Sequence, residues 1–84
     1  MKITTSIDEL SLGSVGIVAG YSLIYGGYIG KLISKGLIPG TFFVLLNSDL
    51  VRGTVQIMLK EKIIILSKPE VNALCIDAAT EDNQ

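Results

Sequence analysis

Between positions 41 and 66 three apolar runs of strand length follow one another with only turn-length gaps between them. Residues 41–46 form a continuous apolar run; residues 54–59 alternate, with Val55, Ile57 and Leu59 on one face; residues 63–66 are apolar again. A parallel pair of neighbouring strands needs a crossover of about a dozen residues or more, usually a helix. Neither gap is long enough, so these strands are expected to pair antiparallel. Asn47-Ser48-Asp49 with Gly53 reads as the first connection and Lys60-Glu61-Lys62 as a tight hairpin.

Upstream, Ser6, Asp8 and Glu9 ahead of Leu10 suggest a short helical turn, and glycines 13, 16 and 20 bracket a β-branched first strand at 15–19. The period then changes. Tyr25, Tyr28, Ile29, Leu32, Ile33 and Leu37 recur at three- and four-residue steps, which predicts a helix over 23–37. Tyr25, Ile29, Leu32 and Ile33 are expected to face inward, leaving Gly26, Gly27 and Gly30 outward beside Lys31, Ser34 and Lys35. Gly36 fits a left-handed helix cap, and Pro39-Gly40 fits the central pair of a type II turn. After residue 66, Ser67-Lys68-Pro69-Glu70 is expected to open a single helical turn with Pro69 at its first position, followed by a closing strand at 74–78. The expectation is one domain over residues 1–78, mainly β with one short helix, and a polar acidic tail at 79–84. The economical architecture is a small closed barrel of about five strands with the helix plugging one end, because closure removes exposed edges.

At 84 residues the chain cannot hold separate catalytic and substrate-binding domains. Seven basic residues against eight acidic ones are scattered along it and give a net charge of -1, which excludes the concentrated positive field that nucleic-acid backbones require. With no histidine and a single cysteine, Cys75, the sequence offers no metal-ligand spacing, no internal disulfide and no nucleophile with a base. No phosphate-binding glycine motif is present. The expectation is a non-enzymatic protein without cofactor or metal. Residues 10–30 carry no charge, but six glycines and three serines stand where a membrane-spanning helix would need leucine, isoleucine and phenylalanine. A turn-rich segment is the better reading, and a start lacking the secretory layout places the chain in the cytoplasm by default.

The order Ser6-Ile7-Asp8-Glu9-Leu10, Gly13-x-x-Gly16-Ile17-Val18, Leu32-Ile33-x-x-Gly36-Leu37-Ile38-Pro39-Gly40, then Ile63-Ile64-Ile65-Leu66 and Val71-Asn72-Ala73-Leu74-Cys75-Ile76 resembles the FeoA family, ferrous iron transport protein A. The resemblance implies an SH3-like barrel and a small cytoplasmic partner of FeoB, the GTPase-linked membrane transporter of Fe(II). It would meet the membrane only through that transporter. The alternative is a stand-alone regulatory or oligomerising module related to the C-terminal domain of metal-dependent repressors, and weak self-association is compatible with either. The sequence differs from the family at Gly26, Gly27 and Gly30, where polar or basic residues are expected.

Two features have no role inside a small barrel. One is the glycine face of the helix with Lys31 and Lys35, which reads equally as a loose, partly irregular segment or as a surface flat enough for another backbone to approach. The other is the run at 41–46, apolar on both faces: a barrel has one inside, so either Phe42, Val44 and Leu46 or Phe43 and Leu45 must be exposed or covered. Gly26, Gly27, Gly30, Lys31, Lys35, Phe42 and Phe43 are therefore the candidate partner-binding residues, with Gly36, Pro39 and Gly40 as the structural turn.

Overall fold

The computed structural model describes residues 4–49 and 51–79. Six strands form one antiparallel sheet: β1 (Thr4–Thr5), β2 (Val15–Tyr21), β3 (Phe42–Asp49), β4 (Thr54–Leu59), β5 (Lys62–Ser67) and β6 (Leu74–Ala78). Their order across the sheet is β1-β6-β2-β3-β4-β5. A 3-10 turn at Ile7–Glu9, a 3-10 segment at Leu23–Tyr28 running into helix α1 (Ile29–Ser34), and helix α2 (Lys68–Ala73) complete the chain. The side chains of Ile7, Val18, Leu32, Leu37, Phe43, Leu45, Ile57, Leu66, Val71, Leu74 and Ile76 meet in a single core between the curled sheet and the two helices.

The sheet is not closed into a barrel, contrary to expectation: β5 and β1 are its edges, and among the described residues no pairing joins them. Helix α2 is six residues long rather than a single turn, with Lys68 first and Pro69 second, and it buries Glu70, Val71 and Ala73. It packs against β4, β5, β6, α1 and the Leu23–Tyr28 segment. On the outer edge of β5 the Ile65 carbonyl and the Ser67 N–H are taken by Lys35 and Glu70 rather than by a further strand.

Two bulges explain the other differences. The register between β2 and β6 shifts at Ala19, and β2 runs on to Tyr21. Between β3 and β4 it shifts at Leu46, after which Asn47, Ser48 and Asp49 pair with Gln56, Val55 and Thr54. Those three polar residues therefore belong to the strand rather than to the connection. An extra residue on one strand bends it and increases local twist, which is how an eight-residue strand with an apolar half and a polar half wraps a small core. The connection begins only after Asp49, whose Oδ1 accepts hydrogen bonds from the N–H groups of Val51 and Arg52 at 3.1 Å each. Gly53 ends it at φ +69° with its N–H donating to the Asp49 carbonyl.

Within the sheet, Gly16 lies directly across from Phe43. A Cβ at position 16 would stand 2.5 Å from the ring's Cζ, so the missing side chain is the space the phenylalanine occupies. Ala79 is still tied to β2 through its N–H on the Val15 carbonyl; the remainder of the tail lies outside the described residues.

Candidate partner-binding surface

The helical region contains two unlike halves. From Ile29 onward the helix is regular and its exit is fully hydrogen-bonded: Gly36 N–H donates to the Ile33 carbonyl at 2.9 Å and Leu37 N–H to the Leu32 carbonyl at 3.0 Å. This is the Schellman arrangement, with Gly36 at φ +92° and the apolar pair Leu32 and Leu37 both buried. Pro39 and Gly40 (φ +93°) then form a turn closed by Thr41 N–H on the Ile38 carbonyl. Gly40 N–H reaches the Val18 carbonyl and Val18 N–H the Thr41 carbonyl, both at 2.8 Å, which fastens the turn to β2. The Tyr21 hydroxyl donates to the Leu37 carbonyl at 2.7 Å, and burial pushes its pKa up.

The half before Ile29 is not the continuous helix expected from residue 23. Tyr25 adopts φ -111° and ψ 39°, outside helical geometry, and the stretch Leu23–Tyr28 is 3-10. Glycine lowers helix propensity by about 1 kcal/mol relative to alanine, and two adjacent glycines at 26 and 27 leave this segment too weak to hold α geometry without packing. It receives little packing on its outer side. A Cβ placed on Gly26, Gly27 or Gly30 would meet nothing within 4 Å. Leu23 and Ile24 are each 86% exposed.

The inward assignment of the stripe holds for Leu32, which is buried. Ile29 is half-buried, and the assignment fails for Ile33 and Tyr25, which are exposed; the break at Tyr25 takes that residue out of helical phase. Lys31 stays outside, with its Nζ 5.4 Å from the centre of the Tyr28 ring. Lys35 does not join the glycine face. Its Nζ donates to Glu70 Oε2 at 2.7 Å and to the Ile65 carbonyl at 3.1 Å, so its charge is spent inside the molecule. Glu70 is 5% exposed. Burial pushes its pKa up, but the Lys35 ammonium and the Ser67 N–H and hydroxyl, which donate to Oε1 at 2.8 and 2.9 Å, outweigh that and hold it below the usual carboxylate value.

The two phenylalanines also part company. Phe43 points into the core at 2% exposure, against Gly16, while Phe42 is 57% exposed on the opposite face of β3. The two-residue period of the strand permits only one of them inside. Phe43 is therefore a core residue and not a contact residue. The sequence reading missed Leu23 and Ile24; Leu23 lies off the three- and four-residue spacing of the apolar stripe, whereas Ile24, four residues before Tyr28, carries no such signal.

Among the described residues no group of three or more His, Cys, Asp or Glu side chains could hold a metal ion. No helix among them is long and apolar enough to cross a membrane. What the segment from Leu23 to Gly30 presents is exposed apolar side chain and open backbone.

A search of curated proteins found no match. Solved structures do match. The crystal structure of an iron uptake regulatory protein (FeoA) superposes with a TM-score of 0.74 at 21% identity, covering 90% of this chain and 97% of that one. A FeoA-like protein from Clostridium acetobutylicum gives 0.82 at 17% identity, covering 100% and 96%. A manganese-dependent transcriptional repressor in complex with manganese gives 0.80 at 15% identity, covering 89% of this chain but 36% of the repressor. At such identities these likenesses establish the fold, that of SH3-like domains. The FeoA domain family model matches residues 5–78, nearly the whole chain, and the protein belongs to the FeoA family.

Proposed function

We propose that this protein is a non-enzymatic accessory subunit that binds the cytoplasmic portion of a FeoB-type ferrous iron transporter and modulates it. The proposed contact is the segment from Leu23 to Gly30. Family membership supports the choice of system. The observation that carries the reading is the pair Leu23 and Ile24, each 86% exposed, beside glycines whose outer side is empty. Fully burying a leucine or isoleucine is worth about 1.5 to 3 kcal/mol. Burial of both against a partner therefore contributes up to about 3 to 6 kcal/mol, roughly two to four orders of magnitude in affinity before ordering costs are subtracted. The missing side chains at 26, 27 and 30 let the partner's backbone approach closely enough to cover those two residues. Modulation needs only that one conformation of the transporter binds better than another.

The test is calorimetric titration of the protein with the GTPase-bearing cytoplasmic domain of such a transporter. Leu23→Ser combined with Ile24→Ser is expected to weaken binding at least a hundredfold while the melting temperature stays within a degree or two. Unchanged affinity in the double variant would refute the assignment of this segment. Absence of binding by the unaltered protein would refute the partner.

A further inference from the structure

β5 is a free edge of the sheet, and its outward main-chain groups are treated in two different ways. Lys35 Nζ donates to the Ile65 carbonyl, and Ser67 N–H donates to Glu70. The odd-numbered residues of β5 thus aim their main-chain groups away from β4, and the Lys35–Glu70 ion pair caps the far half of that edge. By the same period of two, Ile63 aims its N–H and carbonyl outward, and no hydrogen bond among the described residues reaches them. The Ile63 and Ile65 side chains are both exposed.

Beside the uncapped half, the end of α1, the Ile38 turn and the β4–β5 hairpin form a groove of about 350 Å³. Ile33, Ile38 and Leu59 give it apolar walls, and every charged residue lining it is a lysine: Lys35, Lys60 and Lys62. Glu70 neutralises Lys35. Lys60 and Lys62 have no acidic partner among the described residues, although the chain as a whole carries a net charge of -1.

We infer that the Ile63 edge of β5 and this lysine-lined groove together take an extended protein segment in which apolar residues alternate with carboxylates. The segment adds as a further antiparallel strand. Main-chain hydrogen bonds to Ile63 supply affinity, the carboxylates on one face of the segment meet Lys60 and Lys62 in the groove, and the apolar side chains on its other face pack on the exposed Ile63 and Ile65. The Lys35–Glu70 pair stops the added strand at Ile65 and so fixes its register. Charge selects the occupant: a second copy of β5 would bring its own Lys62 to the same lysines, whereas an acidic segment is complementary. The site lies on α1's far end and the hairpin, apart from the Leu23–Ile24 surface, and does not depend on the transporter being the partner of that surface.

The probe is a synthetic hexapeptide of alternating glutamate and valine, capped at both ends, titrated into the whole protein while backbone amide resonances are followed. Saturable shifts are expected at Ile63, Ile65 and Lys62 and at the α1 end, fading with added salt. A peptide with lysine in place of glutamate is expected to bind at least tenfold more weakly. Combining Lys60→Glu with Lys62→Glu is expected to weaken the glutamate peptide by a similar factor. Ile63→Pro, which removes an edge N–H that the β4 ladder does not use, is expected to abolish binding. If that variant does not fold, the exposed lysine pair decides. Equal binding of the two peptides, full binding by a folded Ile63→Pro, shifts confined elsewhere, or no shifts would overturn the inference. So would concentration-dependent dimerisation through the same amides, which would make a second copy the occupant.

Discussion

The two ends of the helical region are both rich in glycine, yet the glycines answer to different demands. At the exit, Gly36 and Gly40 hold φ of +92° and +93°, and the hydrogen bonds around them tie α1 to the core and to β2. At the entry, Gly26, Gly27 and Gly30 hold no such φ, and a Cβ on any of them would meet nothing within 4 Å. A third kind sits in β2, where Gly16 is fixed by the ring of Phe43 rather than by its own backbone. Glycine required by packing or by backbone geometry explains itself inside the chain. Glycine required by neither, in a segment it weakens and next to two exposed aliphatic side chains, is what the proposed partner contact would account for.

This contrast orders the expected effects of substitution. The largest belongs to Gly16→Val, which forces a branched side chain into a core ring that is 2% exposed; overpacking of this kind costs about 3 kcal/mol. A denaturation midpoint near that of the unaltered protein would show that Phe43 swings away freely. Next comes Gly40→Val, where a β-branched residue at strongly positive φ costs about 1 to 3 kcal/mol. Equilibrium urea unfolding measures both on one scale, and the contrast breaks if Gly40→Val proves as harmless as a substitution at Gly26.

The Lys35–Glu70 pair gives a smaller, pH-dependent effect. Glu70 has a depressed pKa in the folded protein, so its contribution to stability is fully present above the ordinary carboxylate range and is lost as pH falls through the folded value. Stability is therefore expected to decline on acidification, and Glu70→Gln is expected to flatten that decline while lowering stability at neutral pH. Parallel profiles for the two proteins would mean that other carboxylates govern the acid limb.

Much of the fold could be read from residue order. The bounds of β4 and β6 follow from the alternation of Val55, Ile57 and Leu59 and from the short run after Ala73, because a half-buried strand writes its period into the chain. The tight hairpin at Lys60-Glu61-Lys62 was equally legible, although its loop is only two residues, with Lys62 already opening β5, and Lys60 sits at φ +58° without being glycine. What escaped were effects of tertiary origin. The bulge at Leu46 carries polar Asn47, Ser48 and Asp49 along the ladder, and no local signal marks it. The break at Tyr25 arises because propensity fails where packing is withheld. Lys35 and Glu70 are 35 positions apart, so their pairing, and with it the departure of Lys35 from the glycine face, depends on how α2 closes over the sheet.

The exposed half of the helical region is tested most directly by Gly30→Arg, with capture of the transporter's cytoplasmic domain and thermal stability measured on the same samples. Position 30 is helical and open on its outer side. The substitution is therefore expected to leave the melting temperature unchanged or to raise it, gaining up to about 1 kcal/mol of helix propensity. Capture is expected to fall at least tenfold, because a long cationic side chain then stands where the partner's backbone approaches. Equal capture by both proteins alongside a raised melting temperature would contradict the account: the glycines would then mark only a loose segment of the fold.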